Sequence, residues 1–237
     1  MSTAVHLDAE DTSNYIKHTH ANPIQRKLID RFHKVVLQKI EDLHPKSFLD
    51  AGCGEGFVAG LITERVPDVQ LTGFDFNPSS VDMARKSNPT CSFTVASIFE
   101  IPFGPQEFDV TGCFEVLEHQ TDPAGALREM ARVTSRALVL SVPHEPYFCL
   151  ANAARGKNLD IRPRGSDPDH KQFWTRKAFG EFVTTTCPDF RIHWLGGSLP
   201  WTICVATRKQ HTGACTSLSA PMLSAARIMN VRNGDPA

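Results

Sequence analysis

The sequence predicts an α/β fold, a doubly wound and mostly parallel sheet of seven strands that ends in an antiparallel edge hairpin. Three observations predict it. Short apolar runs alternate with segments of helical spacing from Ser47 onward. Three glycines, Gly52, Gly54 and Gly56, stand where the first apolar run passes into a helix. The last two apolar runs follow each other without a helix between them, as antiparallel neighbours do.

The elements follow in order. Residues 1–45 form an N-terminal cap region whose helix, Ala21 to Leu43, opens on Asn22-Pro23 and repeats Ile24, Leu28, Phe32, Val36 and Ile40 on one face. Strands are expected at Ser47–Ala51, Val69–Phe74, Cys91–Ala96, Phe108–Phe114 and Ala137–Val142, with helices at Phe57–Val66, Ser79–Lys86 and Pro123–Val133. The beat breaks at 143–171, where four prolines and two glycines make a connection too long for an ordinary loop. This segment is expected to be a lid insertion. A helix at Thr175–Thr185 and strands at Phe190–Leu195 and Trp201–Thr207 complete a main domain of residues 46–207. The tail 208–237 is rich in small and polar residues and is expected to be flexible, with one helical turn set near Met222–Met229.

Composition removes several function classes. The chain has 237 residues, 41% hydrophobic and 22% charged, which excludes general disorder. Its net charge of −1 gives no basic field for nucleic acid. No apolar run has membrane-spanning length, and Met1 to Gln25 is too polar for a signal peptide. Seven scattered cysteines with no C-x-x-C argue against a disulfide framework or a cysteine-rich zinc site. A reducing, cytoplasmic location is the expectation.

The chemistry concentrates in Phe48-Leu49-Asp50-Ala51-Gly52-Cys53-Gly54-Glu55-Gly56. Glycines there let the backbone turn tightly and approach a ligand at the carboxyl end of a strand. Asp75 ends the second strand about twenty residues later, where an acid accepts hydrogen bonds from ribose hydroxyls. A dinucleotide fingerprint needs its third glycine one residue further on, where this chain has Phe57. Asp50 beside the loop would repel a pyrophosphate and attract an ammonium or a sulfonium. The pattern therefore favours S-adenosylmethionine (SAM), with S-adenosylhomocysteine (SAH) as product, over a nicotinamide cofactor.

With those residues in place, Tyr15 to Thr207 resembles a class I SAM-dependent methyltransferase, with a Rossmann-like fold. It is most similar to the small-molecule group that includes the ubiquinone-biosynthesis O-methyltransferases. The resemblance rests on Leu49 to Gly56, on Phe74-Asp75-Phe76-Asn77, on Ala96 to Phe103, and on Cys113-Phe114-Glu115-Val116-Leu117-Glu118-His119. It implies that Gly52, Cys53 and Gly54 line the methionine and ribose portion, with Asp50 nearby. It implies that Asp75 holds the ribose, Phe76 packs on adenine, and Ser97 and Ile98 meet the adenine edge. The family usually has Asp where this chain has Ser97, a weaker acceptor. Cys113 and Phe114 would flank the methionine part, although plain core packing accounts for Cys113 equally well. Tyr15, Lys17 and Arg26 resemble the family's cofactor-covering cap; for Lys17 and Arg26 a solvated helix face is an equal reading.

Methyl transfer to an O–H or N–H acceptor needs positioning and, in many cases, a base. His119 leads, with Glu115 at i, i+4 helical spacing to orient its ring; a helix-start capping set explains the same residues. His144 follows the fifth strand directly and faces the expected acceptor pocket. Phe173 and Trp174 suit an aromatic acceptor or ordinary core packing. No metal is expected, since His144, Asp169 and His170 offer ligand types at a spacing that fits no known signature. The sequence thus reads as an enzyme that methylates a small molecule, O-methylation ahead of C- or N-methylation, with no nucleic-acid partner and no membrane insertion. A SAM-binding module without turnover is the alternative, and a nicotinamide oxidoreductase a more distant one.

Overall fold

The computed structural model describes residues 23–161, 163 and 165–210 of the chain. Helix α1 (Pro23–Leu43) leads into β1 (Ser47–Ala51), α2 (Phe57–Arg65), β2 (Gln70–Asp75), α3 (Pro78–Ser87), β3 (Ser92–Val95) and β4 (Phe108–Phe114). A 3-10 turn (Leu117–His119) and α4 (Pro123–Val133) follow, then β5 (Thr134–Pro143), α5 (Tyr147–Ala154), α6 (Arg176–Thr186), β6 (Phe190–Ser198) and β7 (Trp201–Arg208). The seven strands form one sheet in the order β3-β2-β1-β4-β5-β7-β6. β1 to β5 pair in parallel, whereas β7 runs antiparallel to both β5 and β6. This is the Rossmann-like sheet with an edge hairpin that the alternation of apolar runs predicts.

Side-chain alternation along the strands builds two cores, one on each face. Leu49 of β1 joins Leu127 and Met130 of α4 and Phe179 of α6 on one face. Its neighbour Phe48 joins Val36 and Ile40 of α1, Ile62 of α2 and Val81 of α3 on the other. Each is fully buried or nearly so, worth roughly 1.5–3 kcal/mol per side chain. β1 lies between β2 and β4, so its carboxyl end opens in the crevice where the strand order reverses.

β6 runs on to Ser198, past the expected end at Leu195, and two further elements exceed the sequence expectation. β5 begins at Thr134 rather than Ala137, because a polar start hides the strand in sequence. Thr134 is buried and its hydroxyl meets the Met130 carbonyl and the Thr111 hydroxyl at 2.6 Å each, which removes the cost of burial. The 143–171 segment also contains a helix, α5. Its apolar sequence lacks amphipathic spacing, and it is anchored by the Glu145 carboxylate, which accepts from the Cys149 amide at 3.3 Å. Six cysteines are free among the described residues. No helix among them is long and apolar enough to cross a membrane. Tyr15, Lys17 and the 211–237 part of the tail lie outside the described residues.

Candidate active site

The loop after β1 takes its shape from its glycines. Gly52, Gly54 and Gly56 all have positive φ, at 78°, 50° and 80°. A Cβ on Gly52 would stand 2.7 Å from Val116 Cγ2, and one on Gly56 2.6 Å from Asn88 Nδ2. The Asn88 amide donates to the Gly56 carbonyl at 3.0 Å, locking the entry to α2. The Gly52 and Cys53 amides both reach the Phe74 carbonyl at 2.9 Å, fastening the loop to β2.

Asp75 completes this end of the sheet. Its Oδ2 accepts from the Gly54 amide at 3.0 Å and its Oδ1 from the Asn77 amide at 2.9 Å. The glycine loop and the second acid therefore form one constellation. Asp50 lies behind it, 2% exposed, with an Oδ2 that has no hydrogen-bond partner among the described residues. Burial, reinforced by the charge of Asp75, pushes its carboxyl up to about 7. Two acids around a glycine loop suit a positively charged ligand with a ribose diol and repel a pyrophosphate.

The remaining predicted cofactor residues divide by exposure. Phe76 is 80% exposed directly after Asp75, an open aromatic face at the carboxyl end of β2. Ser97 is exposed, its hydroxyl accepting from the Phe99 amide at 3.2 Å, while Ile98 is buried in the core on the α4 side. Cys113 and Phe114 point to opposite cores, and burial drives the Cys113 thiol pKa far upward. Cys113 presents only backbone to a crevice. Arg26 is exposed near the start of α1. Two surface clefts of about 410 Å³ contain none of these residues.

On the acceptor side one sequence premise fails. Glu115 is not one helical turn below His119: it has φ 58°, ahead of the 3-10 turn, so no i, i+4 stack exists. Its carboxylate instead accepts from the Ser141 hydroxyl of β5 at 2.8 Å. Positive φ in a non-glycine residue at a strand end re-aims the chain. The residue beside the His119 ring is the buried Glu118, with Oε1 3.9 Å from His119 Nε2. His119 Nδ1 stands 3.2 Å from the Asp169 carbonyl oxygen, fifty positions away.

His144 is held from two directions. Its amide donates to the Pro200 carbonyl at 2.8 Å, and the next amide, of Glu145, donates to the Trp174 carbonyl at 2.9 Å. The ring packs edge-on against Tyr147 at 5.0 Å between centroids. Burial, and then the nearby Arg176 charge, lower its pKa below the ordinary histidine value. Trp174 packs against Phe179 and Phe182, while Phe173 is 41% exposed.

Residues 49–138 match the family model described as a methyltransferase domain. That stretch, which holds the glycine loop and Asp75, is thus similar to a methyltransferase domain. A Mycobacterium tuberculosis protein named "Probable S-adenosylmethionine-dependent methyltransferase" is 32% identical over 136 residues, 56% of this chain and 47% of that one. The ubiquinone biosynthesis O-methyltransferase of Serratia proteamaculans is 33% identical over 157 residues, 58% of this chain and 60% of that enzyme. The chain thus spans about half to three fifths of the length of these two curated relatives. Among solved structures, magnesium protoporphyrin IX methyltransferase from Synechocystis with bound SAH superposes with a TM-score of 0.62 at 18% identity, covering 83% of this chain and 97% of that one. The cyclase SpnF superposes at 0.61 with 15% identity, covering 78% and 83%. These likenesses establish the methyltransferase fold, and the cyclase among them makes plain that the fold alone does not set the reaction.

Proposed function

We propose that this protein transfers a methyl group from SAM to a small-molecule acceptor, with an oxygen nucleophile favoured. The observation that carries the reading is the bond from the Gly54 amide to the Asp75 carboxylate, which joins glycine loop and acid in one cofactor-shaped site. The relatives named as SAM-dependent methyltransferases support it, and the Serratia O-methyltransferase favours oxygen. Bound SAM would supply a methyl group already activated on a sulfonium.

In this reading Gly52, Cys53 and Gly54 hold the amino acid portion by their backbone, and Asp75 accepts from the ribose hydroxyls. Phe76 covers one face of the adenine, with Ser97 and Ile98 at its edge. Asp50, once ionised, balances the ligand's positive charge from behind the loop. The protein's remaining tasks are to orient the acceptor, exclude water and accept a proton. His144 takes the proton on its imidazole, since its lowered pKa keeps the ring neutral at neutral pH. The described part of the 143–171 segment borders the acceptor.

Calorimetry with SAH tests the cofactor part: micromolar binding is expected, and no binding to the wild type overturns it. Labelled SAM incubated with metabolite extract tests turnover. A labelled, alkali-resistant ether product supports O-methylation. SAH binding with no labelled product selects the non-catalytic SAM-binding reading.

A further inference from the structure

Arg132, Arg176 and Arg208 are half-buried, and the fold engages the first and the last. Arg132 donates to the Phe103 and Ile101 carbonyls at 2.8 Å each, and Arg208 to the Ala131 and Thr134 carbonyls at 2.6 and 2.7 Å. Arg176 bonds to nothing among the described residues, and its Nε is shut off from solvent. We propose that Arg176 binds a carboxylate of the acceptor, so that the small molecule methylated by this protein is an organic acid.

The fold sets Arg176 beside the acceptor end of the sheet. Trp174 bridges to His144, and the Trp174 carbonyl accepts from the Glu145 amide at 2.9 Å. Thr175 then caps α6, its hydroxyl accepting from the Ala178 amide at 3.2 Å, and Arg176 is the first helical residue. The helix dipole opposes a cation there, and no acidic residue in that first turn offsets it. The nearby carboxylate is committed elsewhere: Glu145 is buried and accepts from the Cys149 amide and thiol at 3.3 and 3.2 Å. Arg176 stands close enough to His144 for its charge, after burial, to hold the imidazole pKa down. His144 Nδ1 is likewise buried with no partner among the described residues. Two nitrogens from adjoining segments thus lack partners at one end of the sheet, and a ligand with oxygen acceptors supplies them.

The chemistry selects a carboxylate. A guanidinium presents paired N–H donors that match a carboxylate as a bidentate fork. Its single positive charge balances a single negative one. A phosphate dianion asks for a second cation, and the neighbouring Lys177 ammonium lies 3.8 Å from the Glu181 carboxylate instead. The Tyr147 ring, 50% exposed and edge-on to His144, offers the rest of the acceptor an apolar surface.

The acceptor's identity rests on the methyltransferase reading; the ion pair does not. With the carboxylate on Arg176, a hydroxyl elsewhere on the acid meets His144. Pairing cancels the Arg176 charge that depresses His144 and leaves Glu145 raising its pKa, so the base strengthens as the acceptor arrives. The hydroxyl proton passes to the imidazole. The oxygen's electron pair forms the C–O bond as the C–S bond breaks, and sulfur keeps its pair as a neutral thioether.

The test titrates benzoate into the full chain, with and without SAH, and follows the histidine ring signals by nuclear magnetic resonance. We expect a dissociation constant on the order of 1 mM and a rise in the His144 pKa on binding. Arg176→Gln should weaken benzoate by about tenfold or more and raise the His144 pKa of the free protein. SAH affinity of that variant should stay within about twofold of wild type. Arg176→Lys should fall between the two, since an ammonium keeps the charge without the fork. No benzoate binding by the wild type, equal binding by Arg176→Gln, or benzamide binding as tightly as benzoate overturns the proposal. Phenyl phosphate bound more tightly than benzoate overturns the assignment of a carboxylate. Benzoate binding by a chain that ignores SAH leaves the anion site standing and removes the methyltransferase reading.

Discussion

The two halves of this sheet solve recognition differently. At the β1–β2 end the candidate groups are backbone amides, glycines and two acids, all within the span from Asp50 to Asn77. At the β4–β5 end they are side chains drawn from the 3-10 turn, the end of β5 and the close of the 143–171 segment. The first half is a local motif whose geometry is encoded where it is used: a positive φ at Gly52 and a bond from Gly54 to Asp75. The second exists only because distant segments are tied together, as when Lys171 and Gln172 bond back to Glu118. On the proposed function, the cofactor is held by the part whose geometry is local. An acceptor particular to one protein is met by the part that the long connection can rebuild.

This contrast can be broken or sharpened. If the second half carries reaction and the first carries binding, His144→Ala lowers kcat about 10²- to 10⁴-fold while SAH affinity is unchanged. Single-turnover assays beside calorimetry check this, and a matching loss of SAH affinity would erase the division. Asp75→Ala should do the reverse. It removes the charged acceptor for Gly54 and Asn77 and for the ribose, weakening SAH by about 100-fold, or about 3 kcal/mol.

Asp50 gives a pH signature confined to the first half. Its folded pKa, about 7, lies above its ordinary value of 3.8. The folded chain therefore holds that proton more tightly, and Asp50's effect on stability turns unfavourable as pH rises from about 4 to 7. The α-ammonium of SAH prefers the ionised form, so SAH affinity should rise with pH through about 7. Asp50→Asn should flatten that rise and lift the melting temperature of the free protein at pH 8 relative to wild type. The stability change is on the order of 4 kcal/mol; a variant with wild-type pH dependence would place the ligand's charge elsewhere. The smallest effect is a gain. Ser97→Asp should tighten SAH by about fivefold, about 1 kcal/mol, by giving the adenine edge a charged acceptor. Calorimetry of the variant checks it.

The sequence reading fared according to how local each feature was. β1, α2 and the glycine loop appear where their residues place them, because tight turns and strand ends depend on immediate neighbours. α5 was hidden because its apolar face has no polar alternation, and its anchor, Glu145, precedes it. Glu115 and His119 seemed to share a helix because spacing was read as helical. The positive φ at Glu115 breaks that register, and spacing alone carries no sign of it. Cys113 resembles a cofactor neighbour in the motif, yet its thiol belongs to the core, since alternation along β4 turns it inward.

By itself the sequence determined the order of strands and helices, the glycine turn, and the pair of acids that favours a sulfonium ligand over a pyrophosphate. These follow from periodicity and backbone conformation, which act over a few residues. Only the tertiary structure decided the burial that lifts the Asp50 carboxyl, the two-sided hold on His144, and the approach of His119 to the Asp169 carbonyl. Burial and convergence depend on which surfaces the sheet and its connections bring together, and residues fifty positions apart leave no periodic trace of that in the chain.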